Sequence, residues 1–392
     1  MSIDSVLYLT KLECPVCGTI NEFETIRVGA YTEGDRMSDF CPSVIKWRNP
    51  KYQKYHPTLF FTATCSNCNY TREFNNAYRQ WKTDNNFRTY RQKTLKEKHL
   101  LELSGNNSII KEIAAHLDQE NYPDETAILK LILAIYDDQL TGHPSQLDQG
   151  RFYLRIAWMF RHMEALSNAT GQNIEVVKSR AGNLNDIERT LIDLDMWWAG
   201  FKRNLEYVRE AVETHFSHPS FSSDPAGEDC RDKLLQLAQL DQDGAALIQE
   251  LQQRLVTGST EENNTNQDGD YRYFTHDSFR SFLTELHNVW DGVPRDEREA
   301  LKLTIKYYIE AFEAGREIAR GNPAIQAAYL IAELSRQIGD HNTARKFFNN
   351  TVRMGQSFIN EIKGDRTRTA LARKILELAM TQGKKNLAEA KA

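Results

Sequence analysis

Two Cys-x-x-Cys pairs, Cys14/Cys17 and Cys65/Cys68, constrain this chain more than any other feature. A two-residue gap bends the backbone into a knuckle whose thiolates both reach one ion at about 2.3 Å, and two knuckles complete a tetrahedral shell of four cysteines. The 47 residues between the pairs then make a ribbon with a long insertion. Gly18 follows the first pair, where glycine relieves the backbone strain after the second ligand. The expectation is one structural zinc held by Cys14, Cys17, Cys65 and Cys68. Iron in a rubredoxin-like or iron–sulfur site uses the same ligand spacing and stays open as an alternative. A thioredoxin-like redox pair needs a βαβ context that the sequence lacks. Four thiolates also leave no coordination position for a catalytic water.

Five of the six cysteines lie in the first 70 residues. Cys41 reads as a small buried hydrophobe under the ribbon; an exchangeable ligand acting with His56 is the sharper alternative. Cys230 opens a polar helix and reads as an isolated thiol. No basic-then-apolar leader opens the sequence, and no stretch approaches 18 consecutive apolar residues. The expectation is therefore a cytoplasmic protein with no membrane insertion, in a reducing setting where such pairs bind metal rather than form disulfides.

Residues 12–18, 22–28 and 58–64 read as short strands, the first and third running into the knuckles. From about residue 72 the apolar spacing turns helical through Phe74, Tyr78 and Trp81, and residues 104–107 stop that run. Helices are expected near 108–120, 124–140, 149–167, 173–181, 184–216, 229–256, 276–291, 295–320, 323–337, 341–362 and 366–382. Pro123-Asp124 and Asn322-Pro323 mark two helix starts. Residues 257–270 are almost purely polar; Asn264, Asn266 and Asp268 imitate a calcium loop, but Thr275 stands where its closing Glu belongs.

The chain of 392 residues carries a formal charge of −5, which conceals an asymmetry. Residues 46–98 hold twelve basic and three acidic side chains, a local charge of +9 against −14 for the rest. Aromatics interleave with these cations. One reading is nucleic-acid binding, with Arg88, Arg91, Lys93, Lys96 and Lys98 as phosphate contacts. The favoured reading places the aromatics in the small core of the ribbon and leaves Lys and Arg as its solvated face. His215-x-x-His218 and Asp193-x-Asp195 resemble ligand pairs only in isolation. No phosphate-binding glycine loop, zincin motif or nucleophile elbow is present.

Residues 327–353 contain small Ala332, a Gly339-Asp340 turn, then Ala344 and Phe348, and resemble a tetratricopeptide unit. Residues 124–167 suggest a second, diverged helix pair. Cys14-Pro-Val-Cys-Gly18, Ser38-Asp-Phe-Cys-Pro42, Asn49-Pro50 with Tyr52, Cys65-Ser-Asn-Cys-Asn-Tyr70 and Phe74 resemble the bacterial family of unknown function DUF2225. Arg151-Phe-Tyr-Leu-Arg-Ile-Ala-Trp158 and the run from Tyr329 to Asp340 resemble its helical part. The resemblance covers about 11–82, 124–165 and 322–356, and implies a zinc ribbon with tetratricopeptide-like helices and no particular reaction. The chain departs from the pattern at Asn69, where Gly is expected, which predicts an altered turn. The segment 170–300 looks like a helical insertion.

Together these readings give a mainly α protein with a small N-terminal β zinc ribbon and an all-α body of helix pairs. The segments are a ribbon at 1–71, a basic linking helix at 72–107, a helical domain at 108–256, a polar linker at 257–275 and a tetratricopeptide-like domain at 276–392. The functional expectation is a non-enzymatic adaptor whose helical repeats bind a protein partner. The alternative is a nucleic-acid-binding or regulatory protein acting through segment 46–98.

Overall fold

The computed structural model describes residues 6–170, 201–202, 205–214, 229, 232–239, 273–362 and 365–390. Three antiparallel hairpins come first. Strand β1 (Leu7–Glu13) pairs with β2 (Ile20–Ile26) from Leu7 opposite Ile26 to Glu13 opposite Ile20. Strand β3 (Tyr31–Glu33) pairs with β4 (Ile45–Trp47), and β5 (Thr62–Thr64) pairs with β6 (Thr71–Glu73). The register puts each Cys-x-x-Cys at the turn of a hairpin, 14–18 between β1 and β2 and 65–70 between β5 and β6.

Three local expectations are corrected. The strand expected over 12–18 starts at Leu7 and stops at Glu13, because Cys14 already begins the knuckle turn. Of the strand expected over 58–64 only Thr62–Thr64 pairs. Pro57 opens a 3-10 turn over Pro57–Phe60 instead, capped by His56, whose Nδ1 accepts from the Thr58 amide. The continuous helix expected from 72 is also interrupted. Thr71–Glu73 is a strand, Phe74–Tyr78 forms one wide turn closed by the Arg79 amide on the Phe74 carbonyl, and regular helix α1 begins only at Gln92 and ends at Ser104. The apolar spacing at Phe74 and Tyr78 serves the ribbon core, which both rings enter.

Eight further helices follow in residues 109–170 and 279–389. They are α2 (Ile109–Ala115), α3 (Pro123–Leu140), α4 (Gln146–Thr170), α5 (Phe279–Val289), α6 (Glu297–Ala314), α7 (Asn322–Gln337), α8 (His341–Glu361) and α9 (Arg366–Glu389). Ser108, Ser278, Asp296, Asp340 and Asp365 cap five of them through their side-chain oxygens. Helix α6 stops at Ala314 rather than 320, because Gly315 turns left-handed at φ 63°. The protein is thus mainly α, with its short strands at the N-terminus.

Residues 1–176 and 272–392 form one compact unit, and 177–271 a second. In the second unit residues 205–214 and 232–239 are helical. The helix expected at 173–181, the polar stretch 257–270, Cys230, Asp193, Asp195, His215 and His218 lie outside the described residues.

Helix α3 is the centre of the first unit. Ile128, Leu129, Leu131, Ile132, Leu133 and Ile135 are all fully buried, each worth about 1.5–3 kcal/mol of transfer free energy. A helix apolar on every side needs partners all round. Helix α3 packs against the β5–β6 hairpin and against α4, while α4 packs on α6, α6 on α7, and α7 on α8 and α9. The ribbon is thereby seated directly on the helical core.

Candidate metal centre

The two knuckles share one backbone pattern. The Gly18 amide donates to the Cys14 carbonyl and the Cys14 amide to the Thr19 carbonyl; Asn69 and Cys65 repeat this with Cys65 and Tyr70, at 2.9–3.0 Å throughout. Gly18 sits at φ 78° and Asn69 at φ 61°. The altered turn expected from Asn69 does not occur, because Asn is the side chain that best tolerates the left-handed region.

These turns bring the sulfurs together. Cys14 Sγ lies 3.7 Å from Cys68 Sγ and Cys17 Sγ 3.6 Å from Cys65 Sγ, with all four within 4.8 Å of one another. The edge of a tetrahedron with bonds of about 2.3 Å is about 3.8 Å, whereas a disulfide needs about 2.05 Å. The spacing therefore suits a four-coordinate ion and excludes cross-links. The Val16 amide and Asn21 Nδ2 each donate to a sulfur at 3.5 Å, to Cys14 and Cys65 respectively.

Ionisation of the cluster is mutually frustrated. Hydrogen bonds from Cys14 and Cys68 pull the Cys65 thiol far down. Hydrogen bonds with Cys14 and then Cys65 push Cys68 up, and the bond to Cys65 pushes Cys14 up to about 12. One thiolate forms at the expense of its neighbours, and a bound cation is what lets several form together. The donor set can thus hold a metal ion.

A second ring of contacts ties the knuckles to the rest of the fold. Asn21 bridges them, its Nδ2 donating to Thr19 O and its Oδ1 accepting from the amide and hydroxyl of Ser66, all at 2.9 Å. Trp81 Nε1 donates to Glu13 O and Gln92 Nε2 to Pro15 O. His99 on α1, fully buried, bonds through Nε2 to the Cys68 carbonyl at 2.8 Å and through Nδ1 to Asp137 Oδ1 at 2.7 Å. Asp137 on α3 also accepts from the Thr71 amide at 2.7 Å. Burial alone lowers the His99 pKa, but the Asp137 carboxylate more than reverses this and raises it. The Cys68 carbonyl can only accept, so His99 donates to it from Nε2. Asn21, His99 and Asp137 belong to no motif; only the mixture of His with apolar neighbours in α1 hinted that one side chain was buried.

Cys41 is buried, its thiol pushed up to about 12 by that burial, and it lies outside the four-sulfur cluster. His56 is also outside the cluster; its ring lies 4.9 Å from that of His162 on α4. The 38–42 motif is a plug in the helical body. Asp39 pairs with Arg161 of α4 at 2.8 Å, Ser38 Oγ donates to Glu333 of α7 at 2.6 Å, and Tyr329 donates to Ser38 O at 2.8 Å. A second set of three donors, Glu112, His116 and His276, also falls within 4.8 Å.

Of the basic residues singled out, Arg88, Lys93, Lys96 and Lys98 are exposed and Arg91 is half-buried. Tyr70, Phe74, Tyr78 and Phe87 are buried around the sulfurs, while Tyr90 is 68% exposed among the cations.

A family model described as an uncharacterized protein conserved in bacteria (DUF2225) matches residues 7–181 and 285–371. The chain belongs to the DUF2225 family. No curated protein and no solved structure matches it. The DUF2225 match takes in both knuckles, the 38–42 plug, His99, Asp137 and the α7–α8 pair, and is interrupted between 181 and 285. Among the described residues of this DUF2225 chain no helix is long and apolar enough to cross a membrane.

Proposed function

We propose that this DUF2225 protein is a non-enzymatic cytoplasmic adaptor, braced by one structural zinc ion, whose paired helices hold a protein partner. The observation that carries the reading is the way the cysteine cluster is built into the helical core. Four sulfurs saturate a tetrahedral ion, and the Cys68 carbonyl is bonded through His99 to α3. Such a centre stiffens a scaffold and offers no open coordination position for a substrate. Soft thiolates at this spacing favour zinc over harder cations. The partner surface is the outer side of α9, where Met380 and Leu387 are about half exposed and share one helical face.

The test has two parts. Protein purified without added metal should carry one zinc per chain, and Cys65→Ser should lose it; full retention by the variant overturns the metal assignment. Cross-linking in native cells should recover a partner that the Met380→Asp/Leu387→Asp variant loses. Equal recovery by the variant refutes the surface.

The exposed Arg88, Lys93, Lys96 and Lys98 around Tyr90 favour a second reading, nucleic-acid binding. It requires binding that falls steeply with salt and collapses when Arg88, Arg91 and Lys93 become Glu. Affinity indifferent to those changes removes it.

A further inference from the structure

A cleft of about 540 Å³ lies between the 33–42 loop, α4, α6 and the start of α7. That is the size of a small-molecule site. Its wall is half polar and half apolar, the apolar part including Phe40, Leu154, Ile318 and Leu330.

The charges around the cleft do not balance locally. Each acid on the wall is committed elsewhere: Glu33 to Arg36, Asp39 to Arg161, and Glu317 to the Gln146 and Leu147 amides at the start of α4. Of the arginines, Arg36 pairs with Glu33, and Arg151 pairs with Glu73 and Asp148. Arg155 has no carboxylate partner among the described residues. Its guanidinium lies 4.0 Å from the Phe61 ring centroid and donates only to the Arg151 carbonyl, at 3.1 Å. Burial, with Arg151 adding to it, pushes its pKa down to about 10.

Tyr308 stands beside this cation. It is 6% exposed and lines the cleft; its hydroxyl makes no hydrogen bond among the described residues and is not sealed from solvent. Its ring is held by close packing: a Cβ on Gly150 would lie 2.8 Å from it. A cation with no carboxylate at ion-pair distance, though within the field of Glu73 and Asp148, and a hydroxyl without an acceptor line the same half-apolar cleft. The two therefore present unused hydrogen-bonding capacity to whatever enters the cleft.

We propose that this cleft binds a monocarboxylate with an apolar body, its carboxylate on Arg155 and Tyr308 and its body against Phe40, Leu154 and Leu330. The acids on the wall repel a polyanion, so a single charge fits best. The inference does not rest on the adaptor reading, since the cleft lies at the ribbon–helix junction and not on α9. A free acid and the C-terminus of a peptide present the same chemistry.

Titration calorimetry on the full zinc-loaded chain separates these sources. Octanoate and N-acetyl-alanyl-leucine are the two probes, and octanamide and the amidated dipeptide are their neutral controls. At least one acid should bind saturably and its amide about tenfold more weakly or not at all. Saturable binding of octanoate alone assigns a free acid; binding of the dipeptide alone assigns a chain end. Arg155→Met should weaken binding about tenfold, and Tyr308→Phe, a change the packing accommodates, about threefold. No saturable binding by either acid, equal binding of acid and amide, or unchanged affinity in Tyr308→Phe together with a folded Arg155→Met overturns the proposal.

Discussion

At the residue scale the consequential side chains are the ones that hold two elements in one place. His99 bonds both Asp137 and the Cys68 carbonyl, and its removal leaves Asp137 buried with only the Thr71 amide bonded to it and the Cys68 carbonyl without its His99 partner. His99→Ala should therefore cost about 3–5 kcal/mol in urea unfolding, and a loss under 1 kcal/mol would show that the bridge is incidental. Asn69 offers a gentler probe. Its left-handed backbone should accept Asn69→Gly with little change, whereas Asn69→Val should cost about 1–2 kcal/mol and weaken metal retention, read by dialysis against a chelator. His56 gives a pH test. Burial, and then His162 beside it, lower its pKa from 6.5 to about 4. Between these values the unfolded chain binds a proton that the folded chain refuses, so stability is full above about pH 6.5 and falls as the pH drops toward 4. The loss should reach about 3 kcal/mol. Asp138 has a carboxyl raised to about 6 by burial, which acts in the opposite sense. The difference between wild type and His56→Gln isolates the histidine, and parallel pH profiles would exclude its role. The four clustered cysteines were legible in the sequence because metal chemistry fixes the spacing of such pairs. His99 and Asp137 were not, since they meet across 38 residues and nothing local demands either one.

Elements were legible where a repeat or cap fixes them and obscure where tertiary needs override local pattern. Helices α3 and α7 begin at Pro123 and at Asn322-Pro323, as proline in a first turn requires. The 72–91 stretch misled because Phe74 and Tyr78 have helical spacing, yet Thr71–Glu73 must complete the hairpin that places Cys68. The 38–42 motif was visible as a pattern without a purpose; docking of Ser38 and Asp39 onto α7 and α4 supplies one. Close helix packing is likewise silent in sequence. Gly355 of α8 is buried against α9, and a Cβ there would lie 2.8 Å from Leu376 Cγ. Because the obstruction is a branch point and not a mobile tip, Gly355→Ala should destabilise by about 1–3 kcal/mol despite better helix propensity. Thermal unfolding of Gly355→Ala alone and with Leu376→Ala checks this, since relief in the double variant assigns the cost to the clash.

At the scale of the whole molecule the question is whether the ribbon is an appendage or part of the core. The sequence suggests an appendage, with a basic segment joining two chemically distinct parts. The packing argues otherwise. The β5–β6 hairpin lies on α3, His99 and Asp137 join the second knuckle to α1 and α3, and the 38–42 plug reaches α4 and α7. Ribbon and helices of residues 1–176 and 272–392 share one compact unit, so an ion held by the four cysteines would contribute folding free energy to the helices as well. An independent ribbon would lose only its own structure when the ion is removed, and the helical circular dichroism would melt at an unchanged temperature. A shared core requires that chelation, or Cys65→Ser, lower the melting temperature of the helical signal itself. The shift should grow with metal affinity, as expected for a ligand that binds only the folded state. Asp39→Ala, far from the sulfurs in sequence but in the same contact chain, should lower the same transition by freeing Arg161. If chelation leaves the helical transition in place while the ribbon amides exchange freely, the two parts fold separately and the bracing role falls.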